Sequence, residues 1–156
     1  MSKSLKRVRA ALQSAGLKDT VLEMPSETRT AAQAADAAGC TIDQIAKSIM
    51  FRCAATGTAI LFVTAGGNQV DAAKASAFAG SPLGKADAAL IRAQTGFAIG
   101  GVAPIGHLTP PRAWFDPRLL EFDLIYGAAG TPRHIFGIAP ETLRSLARAE
   151  LASFTV

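Results

Sequence analysis

Ile45-Ala46-Lys47-Ser48-Ile49-Met50-Phe51-Arg52 alternates with period two, setting Ile45, Lys47, Ile49 and Phe51 on one face and Ala46, Ser48, Met50 and Arg52 on the other. Thr56-Gly57 is a hairpin connection into Thr58-Ala59-Ile60-Leu61-Phe62-Val63-Thr64, a β-branched and aromatic run that should pair with it. A sheet begins here, and Lys47 stands on an apolar strand face. An amine in that setting either stretches its head to water along its methylene stem or meets an anionic or oxygen-rich ligand in a pocket.

Upstream, Leu5, Val8, Leu12 and Ala15 recur at helical spacing with Gly16 as a stop, and Thr20 to Met24 alternates like a strand. Thr30-Ala31-Ala32-Gln33 is a capping box for an alanine-rich helix that closes at Gly39, and Thr41-Ile42-Asp43-Gln44 is a second box. Downstream, Gly66-Gly67-Asn68 turns the chain and Asp71 caps a helix reaching Phe78. After a break at Gly80-Ser81-Pro82, another helix runs near Asp87 to Gln94. Phe122 to Gly127 and Arg133 to Ile138 read as strands, and Ala139-Pro140-Glu141 opens the last helix. This irregular alternation predicts an α+β fold.

The 156 residues fit one domain, taken as residues 1–156, and a 49% hydrophobic content suffices for a core without metals or disulfide staples. Cys40 and Cys53 are not spaced as a C-x-x-C pair, which predicts a reducing, cytoplasmic setting. The net charge of +4 permits a polyanionic partner without demanding one. The basic segment of Lys3, Lys6, Arg7 and Arg9 has the composition of a transit peptide, but its helical apolar spacing assigns it to the first core helix. No apolar run approaches the roughly 18 residues of a membrane span, so no membrane partner is expected.

Gly96-Phe97-Ala98-Ile99-Gly100-Gly101-Val102-Ala103-Pro104-Ile105-Gly106-His107 spends glycines and a proline on a side-chain-poor backbone whose N–H groups can face an oxyanion. By itself it also reads as an ordinary loop. Asp116, in Trp114-Phe115-Asp116-Pro117, has a local role as the cap of a helical turn. Taken together, Lys47, the glycine loop and Asp116 resemble, in that order, the YbaK and prolyl-tRNA-synthetase-associated editing-domain family.

The resemblance implies a mixed, largely antiparallel sheet, curved or partly closed and flanked by helices. It implies hydrolysis of wrongly charged aminoacyl-tRNA at the tRNA 3′ end, prolyl-tRNA being the expected class, with a synthetase as a possible further partner. Lys47 is then an electrostatic positioning group, and Gly101 and Val102 supply oxyanion N–H groups. Gly100, Gly101 and Pro104 form a wall for the terminal adenosine and ester carbonyl. Asp116 orders the site or binds substrate, and Gly127 and Gly130 match a glycine-containing turn. Thr30 and Ser48 border a pocket for small side chains. Relatives directed to alanine tend to carry Asn at the position of Ser48, and cysteine-directed relatives Thr, so the amino acid is open among alanine, cysteine, serine, threonine and small analogues. His107 is either a rim residue or a proton shuttle, and His134 is read as surface or partly buried.

An aminoacyl ester is already activated, so a held water and a few donors suffice, and neither metal nor organic cofactor is expected. Gly80-Ser81-Pro82-Leu83-Gly84-Lys85-Ala86 is one residue short of a phosphate-binding loop and lacks its Ser or Thr; no G-x-S-x-G or H-E-x-x-H occurs. Two other classes stay open: a tRNA- or synthetase-binding module without turnover, and a small-molecule ester hydrolase.

Overall fold

The computed structural model describes residues 2–156. Among them the chain runs α1 (Lys3–Ser14), β1 (Val21–Glu23), α2 (Ala31–Ala38), β2 (Ile45–Cys53), β3 (Ala59–Ala65), α3 (Ala72–Ala79), β4 (Leu83–Lys85), α4 (Ala88–Thr95), β5 (Ala113–Phe115), β6 (Ile125–Ala128), β7 (His134–Ile138), α5 (Pro140–Ala147) and β8 (Ala149–Leu151). Short 3-10 turns occupy Ile42–Gln44 and Pro117–Glu121.

The strands form one mixed sheet in the order β1-β7-β6-β2-β3-β5-β8, with β4 also paired to β2. The β1–β7, β2–β3, β2–β4 and β6–β7 ladders are antiparallel; the β2–β6, β3–β5 and β5–β8 ladders are parallel. The expected mixed α+β architecture is found, and the sheet is not closed.

β3 is buried along its whole length, and strand alternation divides its side chains between two cores. Leu61, Val63 and Ala65 join Leu5, Val8 and Leu12 of α1, Phe97, Phe115, Phe136 and Leu143 in the larger one. Ile60 and Phe62 face the other side, where Phe62 stacks on Trp114 at 4.9 Å and meets Phe154 edge-on. α1 is thus a core helix, as its spacing predicts, with the Ser2 hydroxyl accepting from Leu5 N–H at its start. Ala15, expected on its apolar stripe, lies exposed beyond the last helical residue.

Local signals define most boundaries. Thr30 and Gln33 form the capping box of α2, and Gly39 closes it in the left-handed conformation. Asp71 and Asp87 cap α3 and α4 through their carboxylates. Three strands have no counterpart in the sequence reading: β4, β5 and β8, each of three residues. Runs this short carry almost no periodicity, and they exist because β2, β3 and β5 offer edges to pair with. No described helix is long and apolar enough to cross a membrane.

Candidate functional site

A cavity of about 640 Å³ opens where β2 leaves its neighbours. Thr30 and Ala31 from the start of α2 form one wall and Lys47 to Met50 of β2 form the floor. Ile99, Gly100 and Val102 of the glycine loop lie opposite, and Gly127, Ala128, Thr131 and His134 close the end. Lys47, Ser48, Thr30, Gly100, Val102 and Gly127 are therefore brought together as expected. Among the described residues lining the cavity, Lys47 and Arg29 are cationic and none is Asp or Glu.

Lys47 does not extend freely into water. Its Nζ donates to the main-chain carbonyl of Asn68 at 2.6 Å. Burial pushes its amine below the ordinary 10.5, while the Asp116 and Asp43 carboxylates pull the other way. Asp116 is itself buried, 3% exposed, and does not line the cavity. Its Oδ2 accepts from Ala65 N–H at 3.1 Å and from Asn68 Nδ2 at 2.9 Å, and its Oδ1 accepts from Arg118 N–H at 2.9 Å. The carboxylate thus holds the loop whose carbonyl receives Lys47.

Asp43 grips the same loop from the other side. Its Oδ1 accepts from Gly67 N–H at 2.8 Å and its Oδ2 pairs with Arg118 Nε at 3.0 Å. The sequence reading passed over Asn68 and Asp43: Gly66-Gly67-Asn68 signalled only a turn, and Asp43 only the inside of a capping box. The signal available was a polar residue following two glycines at the end of a buried strand.

The glycine loop divides into lining and support. Gly100 and Val102 border the cavity, whereas Gly101 N–H donates to Ala98 O at 3.1 Å and so is already engaged. The Gly101 N–H expected to face an oxyanion is thus turned to its own loop, while Val102, the other residue expected in that role, is at the cavity wall. Gly101 is needed for close approach: a Cβ there would stand 2.9 Å from Thr131 Cα and 3.0 Å from Thr131 N.

Pro104 packs behind the cavity, its Cγ lying 3.2 Å from where a Cβ on Gly127 would be. Gly130 likewise lies outside the lining, with φ at +94° and the main chain of Ser4 2.8 Å from a notional Cβ. Its absent side chain admits the start of α1. Thr30 lines the cavity with its hydroxyl already accepting from Gln33 N–H at 3.1 Å. The Ser48 hydroxyl is buried with no hydrogen-bond partner.

His107 is absent from the cavity wall. Its Nε2 lies 2.6 Å from Ala103 O, and since a carbonyl only accepts, Nε2 carries the proton. The ring sits edge-on to Phe97 at 5.3 Å, and its Nδ1 is buried without a partner. Burial pushes its pKa below 6.5, with the Ala103 bond opposing and the Arg7 charge adding to the fall. A neutral imidazole pinning Ala103 supports the glycine loop and is badly placed to shuttle protons. His134, read as surface or partly buried, is half-buried and lines the cavity, with Nδ1 2.6 Å from Thr131 Oγ1.

A model of the aminoacyl-tRNA editing domain family matches residues 25–146. The chain is 31% identical over 140 residues to the uncharacterized protein YwhH of Bacillus subtilis (strain 168), covering 90% of this chain and 88% of that protein. A solved structure described as a candidate trans-editing enzyme for prolyl-tRNA synthetase is 41% identical, with a TM-score of 0.92 over 100% of this chain and 99% of that one. The structure of hypothetical protein APE2540 is 26% identical, with a TM-score of 0.87 over 96% of this chain and 99% of that one.

Proposed function

Since the chain belongs to the aminoacyl-tRNA editing domain family, we propose that it is a deacylase that hydrolyses the ester between a small, wrongly attached amino acid and a tRNA, acting in trans in the cytoplasm. The observation that carries this reading is the convergence of Lys47, Gly100 and Val102 on one largely apolar cavity without a carboxylate among its described lining residues. The Lys47 ammonium gives that cavity a fixed positive charge suited to the polyanionic end of a tRNA. Water adds to the acyl carbon, Val102 N–H donates to the developing oxyanion, the bond to the ribose oxygen breaks, and the proton passes to the released hydroxyl. Ala31, Ala46 and Met50 make part of the wall apolar, and discrimination against that part is by volume, at about 1–3 kcal/mol per methylene. The likeness to a candidate trans-editing enzyme for prolyl-tRNA synthetase supports tRNA(Pro) as the carrier.

The test is a panel of tRNA(Pro) charged with Ala, Cys, Ser, Thr, 2-aminobutyrate or Pro, with ester loss followed beside Lys47→Ala. Selective loss for one or two small residues, falling roughly 100-fold in the variant with its urea midpoint unchanged, is expected. Retained tRNA binding without hydrolysis would identify a non-catalytic module. Salt-insensitive hydrolysis of free aminoacyl esters would identify a small-molecule hydrolase.

A further inference from the structure

β2 is fully paired on one side only. Towards β3 its ladder runs from Ala46 to Arg52. On the other side β6 takes Ile45 and Ala46, and β4 takes Phe51 to Cys53, so Lys47 to Met50 lie in a gap between two short ladders. The hairpin tells which main-chain groups face that gap. Cys53 N–H donates to Thr58 O at 2.8 Å, making these a bonded pair, and in an antiparallel ladder bonded and non-bonded pairs alternate. Lys47, Ile49 and Phe51 therefore direct N–H and C=O towards β3, while Ser48 and Met50 direct theirs outward. The same parity continues at Ala54, whose N–H donates to Pro82 O at 3.0 Å on the β4 side. The pairing of Phe51 with Lys85 is held through its neighbours and so reaches back to the Met50 carbonyl, whereas the outward groups of Ser48 belong to no ladder, and Ser48 lines the cavity.

A strand edge inside a pocket presents donors and acceptors at main-chain spacing. An aminoacyl group is chemically one end of a peptide, with an ammonium and a carbonyl at that same spacing. The cavity has no carboxylate among its described lining residues to receive an ammonium, and Lys47 Nζ is drawn away to Asn68 O. The acceptors that remain are neutral oxygens, the hydroxyls of Thr28, Ser48 and Thr131 and the outward main-chain carbonyl of Ser48; the carbonyl stands at the open strand edge, and a charged donor strengthens such a bond.

We propose that the open edge of β2 is the receptor for the α-ammonium of the aminoacyl group, with the Ser48 main-chain carbonyl as its acceptor. This rests on the editing reading of the same cavity. It makes the site selective for a free α-amino group as well as for a small side chain. N-acylated esters, including peptidyl-tRNA, lose both the charge and two donors and are rejected.

Two measurements test it. In the first, 3′-deoxy-3′-(alanylamino)adenosine, whose amide is not cleaved, is compared with its 3′-(propionylamino) counterpart, which lacks only the ammonium. The alanyl compound should bind about 10-fold to 100-fold more tightly, the range of one charge-assisted hydrogen bond, and should shift the Ser48 carbonyl-carbon NMR resonance, whereas the propionyl compound should not. Equal affinities, an unmoved Ser48 resonance, or binding of neither at millimolar concentration overturns the proposal. In the second, hydrolysis of alanyl-, lactoyl- and N-acetylalanyl-tRNA is expressed relative to each ester's spontaneous rate. Acceleration confined to the free amine supports the edge receptor, and equal acceleration of all three overturns it while leaving the deacylase reading intact. Hydrolysis of none of them, with the alanyl nucleoside still preferred, removes the deacylase reading and leaves the ammonium receptor.

Discussion

Asp116→Asn tests the link between a buried carboxylate and a lysine in the cavity. The carboxylate accepts three donors, Ala65 N–H, Asn68 Nδ2 and Arg118 N–H, at 2.9–3.1 Å. An asparagine has one oxygen to offer, so its amide nitrogen must face at least one donor. Ala65 is 0% exposed, so its N–H has no recourse to water. A mismatched buried donor costs about 1–3 kcal/mol, and the lost charge weakens the remaining bonds, giving a destabilisation of about 2–4 kcal/mol. The urea midpoint reads this directly. A second readout separates positioning from mere stability: Asp116 raises the Lys47 pKa against the effect of burial, so neutralising it should lower that pKa further in an NMR titration of Lys47. The Lys47 amine sits below its unfolded value, hence the unfolded chain binds more protons just under pH 10.5 and stability rises with pH there. That window should widen in the variant. A Lys47 titration unmoved by Asp116→Asn, or deacylase losses that simply multiply in the Lys47→Ala/Asp116→Asn double variant, would refute the argument that Asp116 acts through Asn68 and Lys47.

Gly101→Ala puts a Cβ 2.9 Å from Thr131 Cα, and a main-chain shift to relieve it should cost about 1–3 kcal/mol, read as a lowered thermal midpoint. His107 is held neutral by burial, so the unfolded chain takes up the proton first and stability declines as pH falls below 6.5, by up to about 1.4 kcal/mol per pH unit. Urea midpoints at about pH 7.5 and pH 5 should therefore differ more in the parent than in His107→Gln. Phe62→Ala opens a void between Trp114 and Phe154 and should destabilise by about 3–5 kcal/mol in equilibrium denaturation, with the far-UV spectrum retained.

What could be read in advance was whatever local chemistry decides. Thr30 with Gln33, Asp71 and Asp87 announce helix starts because a side chain two or three residues from an orphan N–H is always within reach of it. The alternation of β2 with β3 declares the central hairpin and sets Lys47 on a definite face. Phe122 to Leu124, by contrast, were read as the start of a strand running to Gly127 but precede β6, which spans Ile125–Ala128. β4, β5 and β8 went unread because three residues form a strand only where another strand presents its edge.

The same divide runs through the site. Lys47, Ser48, Thr30, Gly100, Val102 and Gly127 were named from sequence and do meet at the cavity. Gly101, Pro104, Asp116, Gly130 and His107 were named with them but stand behind it, because residue type announces that a loop is constrained without saying which of its groups face the ligand. The sequence by itself determined the α+β class, the central hairpin and the basic, cysteine-poor character of the chain, all consequences of neighbours along the backbone. Only the tertiary structure decided that Asp116 reaches Lys47 through Asn68, that Gly101 N–H is already engaged, and that β6 and β4 leave part of the β2 edge open. Each of those facts depends on hydrogen-bond groups far apart in the chain competing for the same partners, and that competition is settled only when the strands and loops have packed.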